Sequence, residues 1–541
     1  MQELPRVEPS GESRPLMSWD SWGVREERRP LDQRTASVVQ TTLGISGSSR
    51  SEARVAPNVR PSTLTDERRG ALEALVGAEH VATDDDVCMH YLSGKSTLDL
   101  LARRGGGVQD APDAVVFPGD AAEVEALLRY CTTESIAVVP FGGGTSVVGG
   151  VDPVREWFDT VIAIATRRMD TLSHLDDFSR TATLGAGVTG PRAEELLAAH
   201  GLSLGHYPQS FAFATIGGFA ATRSSGQASA GYGRFDDMVE ALTVATPIGI
   251  TTVGRAPASA AGPDLRQVFL GSEGTLGIIT SVTVRVHAIP QATAHRSWWF
   301  PDFASGSTAF RELATRADRP TVMRLSDEIE TGIDAALSST PTPDTRTGGA
   351  TSIALFEGMP DDVEARAAAA DAVAVAAGGL VEDPGRAREW EKGRFDSPYL
   401  RDALLDAGAL AETLETATSW RELDDLRTRV RKAIVEALTA VGTPPIVMCH
   451  ISHVYDTGAS LYFTVVCAAG HDPSANWRSA KDAASRAISD AGATVTHHHG
   501  VGRDHRPWMT SEIGPVGTAL LRGMKAAVDP AGVLNPGKLI P

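Results

Sequence analysis

Cysteine is scarce in this chain. Among 541 residues there are four, Cys88, Cys131, Cys449 and Cys467, and no two form a CxxC pair. That spacing offers no disulfide framework and no thiolate metal knuckle, and it suits a reducing compartment. Long apolar runs are missing too. The first twenty residues hold no apolar core of a secretory signal. The Ala-rich stretch 365–380 falls short of the ~20 residues a membrane helix needs, and Arg366 and Asp371 interrupt it. Basic charge is in deficit: 50 Lys and Arg against 68 Asp and Glu leave a net charge of −18. Such a surface does not suit nucleic acid, which requires a basic face. A local basic pocket for a small anion is still compatible with it. These absences point to a cytoplasmic enzyme or binding protein.

What is present suits a large globular chain. Hydrophobic residues make up 42% and charged residues 22%, enough for a substantial core. The length suggests two to four domains at roughly 150 residues each. Residues 1–60 are polar and rich in Pro, Ser and Arg, with Trp19 and Trp22 as anchors. A helical pattern covers 65–101, a strand 114–117, a helix 121–135 and a β-branched strand 136–140. That strand runs straight into glycines, an order typical of α/β units that hold a phosphorylated cofactor. Further on, 282–286 alternates as a strand. Beyond 291 the pattern changes to long helices (307–316, 361–377, 420–441) between strands (352–356, 460–466), which marks a second domain. A helix over 475–492 and a turn-rich tail follow. The boundaries expected are 1–105 for an arm and helical region, 106–290 for a cofactor domain, 291–470 for a substrate cap, and 471–541 for a segment that returns to the cofactor domain.

Three glycine loops carry the chemistry of the first half. Pro140, Phe141, Gly142, Gly143, Gly144, Thr145, Ser146 and Val147 form the first. Successive exposed N–H groups and two hydroxyls can nest a pyrophosphate without a lysine. The spacing is not GxGxxG, and a lone triple glycine reads equally as a tight turn. The second loop holds Pro208, Ser210, Thr215, Gly217 and Gly218, then Thr222, Arg223, Ser225 and Gly226. Glu273, Gly274, Gly277, Ile278 and Ile279 form the third. Together these loops resemble the FAD-binding domain of the vanillyl-alcohol oxidase/PCMH flavoprotein family, as does the Asn535-Pro-Gly-Lys538 ending. The resemblance implies an α+β fold. An FAD-binding domain of two α/β subdomains would be joined to an α+β cap with an antiparallel sheet. It also implies non-covalent FAD, since the first loop carries no histidine for attachment and His206 is not clearly placed for it.

The second half is dominated by one string, His497-His498-His499-Gly500-Val501-Gly502-Arg503. Alone it reads as a solvated turn, a metal site or a functional cluster. Adjacent residues on a strand point to opposite faces, which makes the triplet by itself a poor metal cage, and no metal set is assigned. With Tyr399-Leu-Arg401-Asp402, the Tyr455-to-Phe463 segment and Trp508, it resembles the alkyldihydroxyacetonephosphate synthase branch of the flavoprotein family. The likeness covers most of the chain, from Trp19 to about residue 530.

That resemblance implies exchange of the acyl group of acyl-dihydroxyacetone phosphate for a fatty alcohol through a flavin N5 adduct, with no net redox. By position Tyr462 moves a proton, Arg401 holds the leaving carboxylate, and His497, His498 and His499 complete the catalytic set. His450 and Arg503 are substrate contacts. His450 stands where the animal synthases are expected to have arginine, which leaves the substrate open. The branch also implies a homodimer, and a lipid substrate implies peripheral membrane contact. No peroxisomal signal ends the chain. The competing reading is an FAD-dependent oxidoreductase acting on a hydroxy acid or alcohol. In it, a second histidine of a metal motif is replaced by Tyr462. A third is a non-catalytic flavin-binding protein, which retention of the Arg, Tyr and His set disfavours.

Overall fold

The computed structural model describes residues 16–45, 56–337 and 348–541. Part of the polar arm, residues 1–15 and 46–55, therefore lies outside the described residues.

The first half builds two main sheets, beside a two-stranded ribbon of Leu202–Ser203 and His287–Ala288. In one, Ala114–Val116 and Ile136–Phe141 flank Thr160–Ala165 in parallel, and the short strand Val81–Ala82 pairs antiparallel at the edge. Its strands are buried on both faces, as the β-branched run 136–140 suggests. The helix Ala121–Glu134 covers it. Asp120 caps that helix by accepting from Ala122 and Glu123 N–H, and Ser135 ends it in the left-handed conformation. The helical pattern read over 65–101 divides into Asp66–Val76, Asp85–Met89 and Thr97–Arg104. Ser96 opens the last of these with a capping box to Asp99. The other sheet is wholly antiparallel, in the order Leu172–Asp176, Thr181–Gly185, Ile278–Arg285, Val239–Thr246, Gly249–Val253.

The second half contains an antiparallel sheet of seven strands. Its order is Leu380–Glu382, Ala292–Phe300, Ala350–Gly358, Val322–Ser326, Ile446–Val454, Gly458–Ala468, Ala409–Ser419. Four helices cover one face: Phe303–Ala314, Pro360–Ala376, Leu423–Ala440 and Pro473–Asp490. Strand side chains alternate between faces, so this core fixes the orientation of everything else. Met323, Leu325, Leu414, Cys449, Ile451, Leu461 and Phe463 lie in the core beneath the helices. Arg324, Glu415, His450 and Tyr462 therefore share the opposite face.

The tail returns to the first half. Val138 N–H donates to Val533 O at 2.8 Å, and Asn535 N–H donates to Val138 O at 2.7 Å. The N-terminal arm is held by buried cations. Lys95 Nζ donates to Ser18 O, Arg103 to Trp19 O at 2.6 Å, and Arg104 to Asp20 O at 2.9 Å. Trp22 is buried and meets Phe213 edge-on, with ring centroids 5.8 Å apart. The tryptophans do anchor the arm.

Candidate functional site

The three glycine loops converge. A Cβ on Gly143 would sit 2.1 Å from Phe213 O, and one on Gly142 would sit 2.5 Å from Thr215 Oγ1, so the first loop lies flat on the second. Gly274, at φ +72°, lies against Pro140, where a Cβ would meet Cγ at 2.5 Å. Only glycine permits both that conformation and that approach. Thr215 caps the helix Ile216–Thr222, its hydroxyl accepting from Gly218 N–H. A small cleft lies beside Gly142–144, Phe213, Tyr91 and Lys95.

The loops fit a flavin nucleotide. They form a cradle that any side chain would fill, and buried polar atoms at Gln209 Nε2, Thr166 Oγ1 and Ser272 Oγ have no hydrogen-bond partner among the described residues. A buried polar atom left alone is costly, so these atoms await a ligand or water. FAD would be held by the N–H groups of the first loop and by Thr215 and its neighbours.

The polar face of the cap sheet holds a second constellation. Tyr462 is walled by imidazoles: His450 stacks at 5.0 Å, His498 at 6.0 Å, and His499 stands edge-on at 5.6 Å. Burial pushes the Tyr462 hydroxyl up to about 12, with Thr413 hydrogen-bonded to it. His450 is tied on both nitrogens. Arg324 donates to Nε2 at 2.8 Å, so the ring proton is on Nδ1 and points at Glu330 Oε2, 3.0 Å away. Arg324 also pairs with Glu330. Burial opposes the Glu330 charge, but His450 and Arg324 hold its carboxyl down at about 2.

The triplet is neither a strand nor a solvated turn. It hangs from two buried carboxylates. Glu415 accepts the N–H of His497 at 2.6 Å, His498 at 3.2 Å and His499 at 2.9 Å, with the Thr496 hydroxyl at 2.7 Å. Glu273 accepts from Val501 N–H at 2.5 Å and Gly502 N–H at 2.7 Å. One carboxylate belongs to the cap sheet and the other to the third glycine loop, so the loop bridges the two halves. Burial would raise the Glu415 carboxyl, but the surrounding imidazoles and N–H donors hold it well below its usual range. Burial raises Glu273 to about 7, against the pull of its two N–H donors. Burial lowers all three histidines, His499 to about 3, so the rings are neutral near pH 7.

His453 joins them. Donor atoms of His453, His497 and His498 lie within 4.8 Å of one another. Strand alternation does not anticipate this, because the triplet is on a loop. Both nitrogens of His497 are engaged, Nε2 with the Tyr455 hydroxyl at 2.5 Å and Nδ1 with His498 Nδ1 at 3.0 Å.

The remaining candidates lie elsewhere. Arg401 donates to Lys95 O and pairs with its neighbour Asp402. Asp402 also accepts Trp22 N–H, so Arg401 belongs to the clasp on the arm. Among the described residues it has no contact with Tyr462 or the triplet. Arg503 pairs with Asp152 and is half-exposed. Arg223 lies against Gly271 at the start of the third loop, donating to Leu270 O and pairing with Asp236. Glu273, expected at the cofactor, spends its carboxylate on the histidine loop. His206 is fully buried between Phe219 and Phe235, with Nε2 on Ser224. Sequence reading missed Arg324, Glu330, Glu415 and Tyr455. The only signal for the first was a charge between apolar residues in Val322-Met-Arg-Leu-Ser326.

Two family models match the chain: an FAD binding domain over residues 112–254, and the C-terminal domain of FAD linked oxidases over residues 289–539. Alkyldihydroxyacetonephosphate synthase from Dictyostelium discoideum is 35% identical over 87% of this chain and 80% of its own length. The enzyme of the same name from Trypanosoma brucei brucei is 31% identical over 90% and 82%. This chain belongs to the alkyldihydroxyacetonephosphate synthase family. It is an FAD-dependent enzyme of that type. A solved structure of alkyldihydroxyacetonephosphate synthase superposes with a TM-score of 0.79, at 27% identity over 96% of this chain and 98% of that one. p-Cresol methylhydroxylase shares the fold, at TM-score 0.65 and 16% identity over 88% and 98%. The antiparallel cap sheet and the FAD domain expected from the glycine loops are both present.

Proposed function

We propose that this enzyme exchanges the acyl group of acyl-dihydroxyacetone phosphate for a fatty alcohol, forming an ether without net redox. One observation carries the reading. Tyr462 is buried within three imidazoles, beside a guanidinium, on the cap face opposite the helices. A hydroxyl so placed can exchange a proton with a neutral ring. The Arg324–His450 pair offers the site a cation and a fixed ring for an anionic group, phosphate or carboxylate. This redistributes the roles implied by resemblance. Arg324 stands with Tyr462, whereas Arg401 orders the arm over the cofactor loops. With His450 at the position where arginine is expected, Arg324 brings a guanidinium to this face from the next strand, paired with the Glu330 carboxylate.

When bound, FAD supplies the electrophilic ring that exchange without net redox requires. The protein holds it non-covalently in this reading, and acid precipitation should release all the flavin into the supernatant. Peripheral contact with a bilayer is part of the proposal, because the substrate is a lipid. No helix among the described residues is long and apolar enough to cross a membrane.

Purified protein incubated with palmitoyl-dihydroxyacetone phosphate and labelled hexadecanol should form labelled ether and release palmitate without reducing oxygen or dye. Absence of exchange in FAD-loaded protein sinks the proposal. The alternative, oxidation of a hydroxy acid, draws on the 27% identity with a yeast D-lactate dehydrogenase over 83% of this chain. Bleaching of the flavin by D-lactate or glycolate would favour it.

A further inference from the structure

Backbone N–H groups of the first glycine loop can nest a diphosphate without a lysine. The fold nevertheless brings a lysine to that loop, from outside the residues matched as the FAD binding domain. Lys95 lies between the helices Asp85–Met89 and Thr97–Arg104. Its backbone N–H donates to Ser146 O at 2.6 Å. A Cβ on the preceding Gly94 would sit 2.0 Å from the same oxygen, so this segment lies flat on the first loop. Two guanidiniums fix it there: Arg103 donates to Gly94 O, and Arg401 donates to Lys95 O.

The Lys95 side chain is only 4% exposed. A buried cation is costly unless an anion faces it. Among the described residues no carboxylate pairs with Lys95. Asp99 and Asp402 are near enough to favour its charge, but both are committed elsewhere. Asp99 caps Ser96, and Asp402 takes Arg401 and the Trp22 N–H. The ammonium has three donors. One goes to Ser18 O, and the other two meet no acceptor among the described residues. Burial, together with Arg103 and Arg401, pushes the ammonium well below the usual lysine range.

The surroundings have one sign. Lys95 lines the small cleft with Gly142, Gly143 and Gly144, and His90 and Arg167 line it too. Among the described residues no Asp or Glu does. In a chain of net charge −18 such a cleft is a local exception that suits an anion.

We propose that Lys95 is a phosphate-binding residue that pairs with the diphosphate of FAD at the first glycine loop. A compact ammonium with two free donors suits a phosphate ester. The substrate of the exchange proposed above carries a phosphate ester as well, so this chemistry has two sources. The seat of Gly94 and Lys95 on Ser146 favours the cofactor.

The test titrates FAD into deflavinated protein carrying Lys95→Met, which keeps an apolar stem and removes the charge. The FAD dissociation constant should rise about tenfold or more over wild type. Its increase with salt should be steeper in wild type than in the variant. Without FAD the two proteins should melt at the same temperature, because the ammonium has no carboxylate partner to lose. A lower melting temperature in the FAD-free variant would make Lys95 a fastener of the arm at Ser18, and overturns the proposal. An unchanged FAD constant overturns it too. In FAD-saturated protein the KM for palmitoyl-dihydroxyacetone phosphate should match wild type. A raised KM beside an unchanged FAD constant would move Lys95 to the substrate phosphate and overturn the assignment to the cofactor. The KM comparison rests on the exchange reaction proposed above, but the FAD titration does not.

Discussion

Tyr462 shows how much depends on one side chain. Its hydroxyl is raised to about 12 by burial, so it is protonated in the resting enzyme and can serve first as a donor. Tyr462→Phe should keep FAD and reduce exchange by about 100-fold or more, in the range of a lost proton-transfer group. Glu415 acts at one remove. Glu415→Ala leaves four buried donors without an acceptor, and should lower the unfolding free energy by about 3 kcal/mol or more in denaturant titration. Glu415→Gln keeps one oxygen for up to three of those donors and should cost distinctly less. Equal loss in both variants would show that the charge, and not the hydrogen bonds, holds the loop. Tyr462 and the triplet were legible in the sequence because they sit in one recognisable string each. Glu415 and Arg324 were not. Glu415 is 82 residues from His497, and Arg324 is 126 from His450; strand pairing brings the second pair together, and the return of the histidine loop past the strand Ala409–Ser419 brings the first.

At the scale of elements, the strands were easier to read than their partners. The run 136–140 and the alternation at 460–466 announce strands by composition and period. The order of the seven-stranded sheet could not be read this way, since it pairs Val322–Ser326 with Ile446–Val454 across more than a hundred residues. The glycine loops were legible as crowded backbone but not as mutual contacts. Gly143→Ala tests that contact, because its Cβ would overlap Phe213 O at 2.1 Å. The substitution should displace the second loop and lower FAD content in the purified protein, with helix content by circular dichroism unchanged. The contacts of Arg401 were not legible in its string, since its neighbours Lys95 and Asp402 are fixed by the packing of the arm. Asp402→Asn should free the arm and expose Trp22 to fluorescence quenchers, with little direct effect at Tyr462.

Across the whole molecule, burial of neutral histidine dominates the response to acid. Burial lowers His206 and His499 to about 3 and His505 to about 4. The unfolded chain takes up protons near pH 6.5 where the folded chain does not, so stability falls as pH drops below that value. One such histidine loses about 2 kcal/mol between pH 6.5 and 5. Buried carboxyls work the other way, Glu273 raised to about 7, Asp152 to about 6, and Glu194 and Asp327 also raised, but the lowered histidines, with His450, His453, His497 and His498 among them, outnumber them. The melting temperature should therefore decrease on going from pH 7 to 5. A flat or rising profile would mean that the histidines charge in place.

The central claim is FAD-dependent exchange without net redox, and one anaerobic visible spectrum tests it most directly. Adding palmitoyl-dihydroxyacetone phosphate should perturb the flavin band and release palmitate, and adding hexadecanol should restore the band, with no dye reduced. A flavin indifferent to that substrate but bleached by a hydroxy acid, with electrons passed to the dye, would contradict the account.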